Sequence, residues 1–172
     1  MGAGEPVKDA LTVPVTPDVL RECEVFLIEE ACRLDEGRFD AWVDLFDDDG
    51  VYWVPSEPGQ VSPHDTLSLF YESKALLRLR VQRLAHPLTH VQAPCSRTHH
   101  HVNSITAAEL GDGCYVVRSL LLMLEWRAGE QTLFSARCSH ELRRSDGGLR
   151  IISKRVDLLD CDAPHRAIAI PF

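Results

Sequence analysis

The sequence predicts an α+β fold in which N-terminal helices pack on the concave face of a curved antiparallel sheet. Three observations lead there. In the first half of the chain apolar residues recur at spacings of three and four, the period of a helix with one buried face. In the second half four long segments, 96–109, 114–127, 131–145 and 149–160, are separated by GDG, AGE and SDGG, which are hairpin signals. With 172 residues, 45% of them apolar, the chain suits one domain with a single core. No internal repeat is visible.

Residues 1–15 mix Gly, Pro and small residues without a period and read as a mobile tail, leaving one α+β domain over 16–172. Thr16, Pro17 and Asp18 form a helix start: a hydroxyl N-cap, a proline in the first turn and an acid at the positive end of the dipole. Leu20, Cys23, Leu27, Ala31 and Leu34 then line one face of a helix that runs to about Glu36 and is ended by Gly37. Phe39, Trp42, Val43 and Phe46 make the apolar stripe of a short second helix, which Asp47, Asp48, Asp49 and Gly50 stop. Val51 to Val54, before Pro55, is β-branched and aromatic and predicts a short buried strand, with loop over 55–65. Leu67 to Tyr71 fits a strand or a helix start. Leu76, Leu77, Val81 and Leu84 favour a third helix ending near His86, since Pro87 biases its predecessor away from helix. Segment 114–127 is apolar on both alternating faces and is expected at the centre of the sheet.

Charge and composition remove several classes of function. The 18 Lys and Arg oppose 26 Asp and Glu, a formal net charge of −8, and residues 1–50 alone hold 14 acids and 4 bases. Without a basic stripe the electrostatic term that drives nucleic-acid binding is missing. No apolar run approaches the roughly 20 residues of a membrane helix. The opening MGAGEPVKDALTVPVTP lacks the layout of a signal peptide, so a cytoplasmic protein that uses no membrane is expected. The six cysteines include no CxxC pair and read as reduced thiols.

Candidate chemistry is sparse. Cys138 with His140, followed by Cys161 with His165, approaches the two-Cys, two-His set of a Rieske cluster. The second pair has one residue too many, however, and the first falls inside a predicted strand. For mononuclear iron, His86 and His90 have helical spacing interrupted by Pro87. His99 and His101 share one face of a strand while His100 points the other way, and no third ligand is evident. Asp44, Tyr52, His99 and His140 are the candidates for an acid/base pair in an apolar cavity. GxSxG, HExxH, Walker and GxGxxG motifs are missing, and Asp47 to Asp49 lack the alternation of a calcium loop.

Several motifs in fixed order then match one family. EVFLIEEACRLDEGRFDAWVDLFDDDGVYWVP, LFYESKALLRLRVQRL, APCSRTHHHVNSI and FSARCSHELRRSDGGLRIISKRVDLLD together resemble the small (β) subunit of aromatic-ring-hydroxylating dioxygenases over roughly residues 20–160. The triple histidine and the Gly- and Pro-bearing tail depart from that pattern. The resemblance implies a cone-shaped, cystatin-like fold of the kind found in nuclear transport factors and ketosteroid isomerase, which agrees with the helix-then-meander reading. It implies a non-catalytic subunit with no cofactor or metal of its own, supporting an α3β3 heterohexamer. The Rieske [2Fe–2S] cluster and mononuclear Fe(II) then belong to the large α subunit, and electrons from NAD(P)H reach it through a reductase and in some systems a ferredoxin.

On this reading Trp53, Tyr71, Arg97, Arg137, Arg143, Arg144 and the apolar end from Ala167 to Phe172 are candidate interface residues. Core lining for Trp53 and a solvated edge for the arginines stay open as alternatives. Two other functions also stay open, because a cone hosts enzymes and scaffolds alike. One is a free-standing dehydratase or isomerase using Asp44 with His99; the other is a module whose pocket holds a small apolar molecule.

Overall fold

The computed structural model describes residues 13–85, 94–165 and 168–172. In chain order the elements are β1 (Val13–Pro14), α1 (Pro17–Asp35), α2 (Phe39–Val43), β2 (Phe46–Pro55), β3 (Ser68–Ser73), α3 (Lys74–Ala85), β4 (Arg97–Gly111), β5 (Cys114–Arg127), β6 (Glu130–Ser145) and β7 (Gly148–Leu158). The seven strands form one sheet in the order β1-β4-β5-β6-β7-β2-β3. Neighbours are antiparallel except β2 and β7, which run parallel.

The ends of α1 follow from its sequence. The Thr16 hydroxyl accepts from the Val19 amide, and Pro17 occupies the first turn. At the other end Gly37 adopts φ +70° and its amide donates to the Leu34 carbonyl, while Arg38 N donates to Arg33 O. That is the double closure of a Schellman motif. Cys23, Leu27, Ala31 and Leu34 face the core as expected, and Glu30 joins them. The hairpin signals are borne out by register. Gly111 pairs with Cys114 and Arg127 with Glu130, leaving Asp112-Gly113 and Ala128-Gly129 as two-residue turns with positive φ at both positions.

The structure refines several of these readings. Val13 and Pro14, which fall in the stretch read as a tail, pair with Glu109 and Ala108 of β4. Phe46 and the acidic run belong to β2 instead of ending α2, because a register shift between Phe46 and Val51 lets four residues bulge out of the ladder. Gly50 makes that bulge possible: a Cβ there would stand 2.8 Å from the Ile151 carbonyl oxygen. The ambiguous stretch before α3 is a strand, β3, paired with β2. The central position expected for β5 is borne out, with Leu120 and Leu122 on its outward side half-exposed.

The core lies between the sheet and the helices. Trp42 packs edge-on against Phe46 and Tyr52, centroids 5.3 and 5.8 Å apart, above Val117, Met123, Leu142, Ile151 and Val156. Asp35, at the end of α1, ties the helix to β4 by accepting from the Thr98 hydroxyl, the His100 amide and His100 Nδ1, the last at 2.6 Å. His100 Nε2 in turn lies 3.1 Å from the Pro171 carbonyl.

Candidate functional site

Polar side chains from four elements converge inside the cone. Glu30 comes from α1, Trp42 from α2, His140 from β6 and Lys154 from β7. Glu30 Oε1 accepts from Lys154 Nζ at 2.7 Å and Trp42 Nε1 at 3.0 Å, and His140 Nε2 lies 3.0 Å from Glu30 Oε2. All three ionisable residues are buried, with Glu30 and Lys154 3% and His140 2% exposed. Burial by itself would raise the Glu30 pKa. The Lys154 ammonium and the hydrogen bonds reverse this and hold the carboxyl well below the usual range. Burial pushes His140 below its ordinary value, which favours the neutral imidazole despite the nearby carboxylate.

Periodicity explains two of these placements and a bulge explains the third. Glu30 lies three residues after Leu27 and four before Leu34, so a helix with those leucines inside must turn Glu30 inward. His140 alternates with the buried Cys138 and Leu142 along β6. On β7, Glu141 pairs with Ser153 and Leu142 with Ile151, so one extra residue shifts the alternation and brings Lys154 inside in place of Ser153. Chemically, the set could pass a proton among its members. Its carboxylate already faces three donors, and the adjoining cavity, about 20 Å³, is large enough for a water molecule but not for an aromatic compound.

The other sequence candidates do not come together as sites. Asp44 caps α2 at 65% side-chain exposure with Arg78 3.4 Å away, whereas His99 stands on the outer face of β4 with its ring stacked on His101 at 6.3 Å. The Asp44–His99 pair is therefore not formed. Tyr52 is buried and its hydroxyl accepts from the Phe172 amide, with burial raising its pKa. Cys138 lies within β6, its thiol pushed up to about 12 by burial, His140 is engaged by Glu30, and His165 Nε2 lies 2.8 Å from the Asp160 carbonyl. The residues at the Rieske-like positions do not fit such a cluster. Asp47 pairs with Arg143 at 2.7 Å and Asp48 with Lys74 at 3.0 Å. Among the described residues no group of three or more His, Cys, Asp or Glu is placed to hold a metal ion. His86, His90 and Ala167 lie outside the described residues.

The outer face of the sheet gathers most of the candidate interface residues. Strand register aligns Arg97 with Trp126, His99 with Leu124 and Leu133, and Asn103 with Leu120, Arg137 and Asp157. A further row runs from Ser139 through Arg155 and Trp53 to Tyr71. Leu120, Leu122, Trp126 and Leu133 are 43, 41, 44 and 57% exposed there. Arg155 stacks over Trp53 at 4.3 Å and is held by Asp157. Arg143 shares this face at the other end of β6, where it pairs with Cys114 beside the β4/β5 turn. Arg144 does not: it reaches the other side, forming a two-point ion pair with Glu22 of α1. Phe172 is 1% exposed and packs edge-on against Phe134 at 5.2 Å, so its ring is part of this chain's own core.

Comparison with known proteins decides the family. Residues 29–163 match the family model described as the ring hydroxylating β subunit. The chain belongs to that family. This β subunit is 34% identical over 172 residues to the small oxygenase component of the p-cumate 2,3-dioxygenase system of Pseudomonas putida, covering 95% of each chain. It is 28% identical to the anthranilate 1,2-dioxygenase small subunit of Acinetobacter baylyi, covering 78% of this chain and 86% of the relative. The crystal structure of the benzoate 1,2-dioxygenase β subunit from Burkholderia mallei superposes with a TM-score of 0.70 at 26% identity, covering 81% of this chain and 89% of that one. These relatives are subunits of aromatic dioxygenases, and among the described residues no helix of this β subunit is long and apolar enough to cross a membrane.

Proposed function

We propose that this chain is the non-catalytic structural subunit of a cytoplasmic ring-hydroxylating dioxygenase, assembled with a large α subunit as an α3β3 heterohexamer. The large subunit holds the Rieske [2Fe–2S] cluster and the mononuclear Fe(II). A reductase, with or without a ferredoxin, delivers NAD(P)H-derived electrons, and the assembly hydroxylates an aromatic compound with O2. The family match over residues 29–163 is the observation that carries this reading.

The outer sheet face is the proposed place of contact with neighbouring subunits. Half-exposed leucines and a tryptophan beside Arg97, Arg137, Trp53 and Tyr71 give the apolar centre and the arginine-and-aromatic surround that protein interfaces favour. The free-standing enzyme reading lacks a formed Asp44–His99 pair, and the cavity inside the cone, about 20 Å³, is too small for the apolar molecule of the third reading.

Purification of the tagged chain from its native host, with mass analysis of co-eluting proteins, tests the assembly. The expected result is a larger chain in equal amount, together with visible iron–sulfur absorption that leaves when that chain is stripped off. Recovery of this chain alone and without iron would overturn the proposal.

A further inference from the structure

Among the described residues the buried cluster leaves one polar atom without a protein partner: His140 Nδ1 is enclosed and makes no hydrogen bond to them. The role of this nitrogen is fixed by its sister. Nε2 faces Glu30 Oε2 at 3.0 Å, and an ionised carboxylate only accepts, so Nε2 carries the hydrogen. In the neutral ring Nδ1 is then a bare acceptor, and a buried acceptor without a donor is a costly exception in folded proteins. The Lys154 ammonium has the opposite surplus, with three N–H donors and Glu30 Oε1 as its one hydrogen-bond acceptor among the described residues. His140, Lys154 and Ser119 line the same cavity. Its volume of about 20 Å³ exceeds the roughly 10–15 Å³ that one water requires.

We propose that this cavity is an internal hydration site holding a single water molecule, which donates to His140 Nδ1 and accepts from Lys154. The chemistry of the walls selects water over other small species. A halide has no proton to give Nδ1, a metal ion or ammonium meets the Lys154 charge while Glu30 is already engaged, and the volume excludes larger anions and organic ligands. The water links β6 to β7 where Glu30 and Trp42 anchor the helices, and it holds the imidazole in the Nε2–H tautomer. The inference is independent of the proposed assembly, since it concerns only the interior of this chain.

Two measurements on the full-length chain test it. In a chain labelled with 15N-histidine, His140 is expected to show a proton bound to Nε2, an Nδ1 shifted as an accepting nitrogen, and cross-relaxation to a long-lived water. A crystal structure at about 1.5 Å or better should show one water within roughly 3 Å of Nδ1. A proton on Nδ1, a donation from the Cys138 thiol, or an empty cavity beside an unshifted Nδ1 would each overturn the proposal. Ala31→Val, which narrows the cavity without removing a polar wall, supplies an independent check. The water signal should vanish, Nδ1 should move to its unbonded position and Tm should fall. An Nδ1 signal unchanged in the folded variant would overturn the proposal, and if the variant does not fold the wild-type spectra decide.

Discussion

The two faces of strands β5, β6 and β7 differ in a way that separates holding a chain together from holding chains to each other. On the inner face Ser119, His140 and Lys154 are buried among Val117, Leu121, Met123, Cys138 and Val156, and the two ionisable side chains share Glu30. On the outer face, one residue along each strand, Leu120, Leu122, Trp126 and Leu133 stand half in water. Ionisable groups are thus paired inside while apolar groups stand exposed outside. A buried charge persists only where another group compensates it, so the inner cluster fixes the arrangement of this chain. Apolar groups left in water on one continuous face support the proposed contact with neighbouring subunits.

The largest effect should come from breaking the inner cluster. Lys154→Met removes the ammonium and leaves Glu30 charged and buried, and a loss of about 3–5 kcal/mol in unfolding free energy is expected by denaturant titration. Adding Glu30→Gln should restore part of that loss, since the uncompensated charge goes with it. A double variant as unstable as the sum of the two single variants would show that the residues act separately and would remove the inner half of the comparison.

The outer face should respond in the opposite way. Trp126→Ala is expected to change fold stability by only about 0.5 kcal/mol, as exposed positions do. It should weaken subunit association by about 2 kcal/mol, roughly 30-fold, measured by sedimentation of the reconstituted assembly. A variant that loses stability yet assembles normally would reverse the roles assigned to the two faces.

Acid sharpens the contrast with a more gradual effect. His140 is held below its ordinary 6.5 by burial, and Glu30 below its ordinary 4.5 by Lys154 and hydrogen bonds that outweigh burial. In both, the unfolded chain binds the proton more readily, so stability rises with pH. It should be complete above pH 6.5, fall as unfolded His140 begins to charge, and fall further below pH 4.5 as Glu30 adds its share. Thermal unfolding followed across this range should show both onsets, and His140→Gln should remove the upper one while leaving the lower.

Much of the framework was legible because it rests on local periods. The α1 stripe, the Gly37 stop and the GDG and AGE turns are set by neighbouring residues, and the structure has them where the spacing puts them. What the sequence concealed depends on long-range register. Lys154 turns inward only because of the bulge on β7, and Asp47 to Asp49 enter a strand only because Gly50 lets the backbone approach Ile151. Glu30 was within reach, since its spacing from Leu27 and Leu34 placed it on the buried face, but an acid there reads as a solvated neighbour of Glu29 until its partners are known. The interface candidates divide in the same way. Arg97, Arg137, Arg143, Trp53 and Tyr71 share the outer face through strand register, whereas Arg144 is engaged by α1 and Phe172 by the core.

The smallest expected effect separates a scaffold from an enzyme. Asp44 is exposed, and its carboxylate stands 3.4 Å from Arg78, a surface pair worth little. Asp44→Asn should leave unfolding free energy within about 0.5 kcal/mol of the parent. It should leave turnover by the reconstituted oxygenase within about twofold, whereas a general acid or base in that position would cost roughly 100-fold or more. A loss of that size, with the assembly intact on a sizing column, would mean that Asp44 acts in the reaction and that the outer face is not this chain's whole contribution. Unchanged turnover alongside the loss of association in Trp126→Ala would assign the contribution to contact alone.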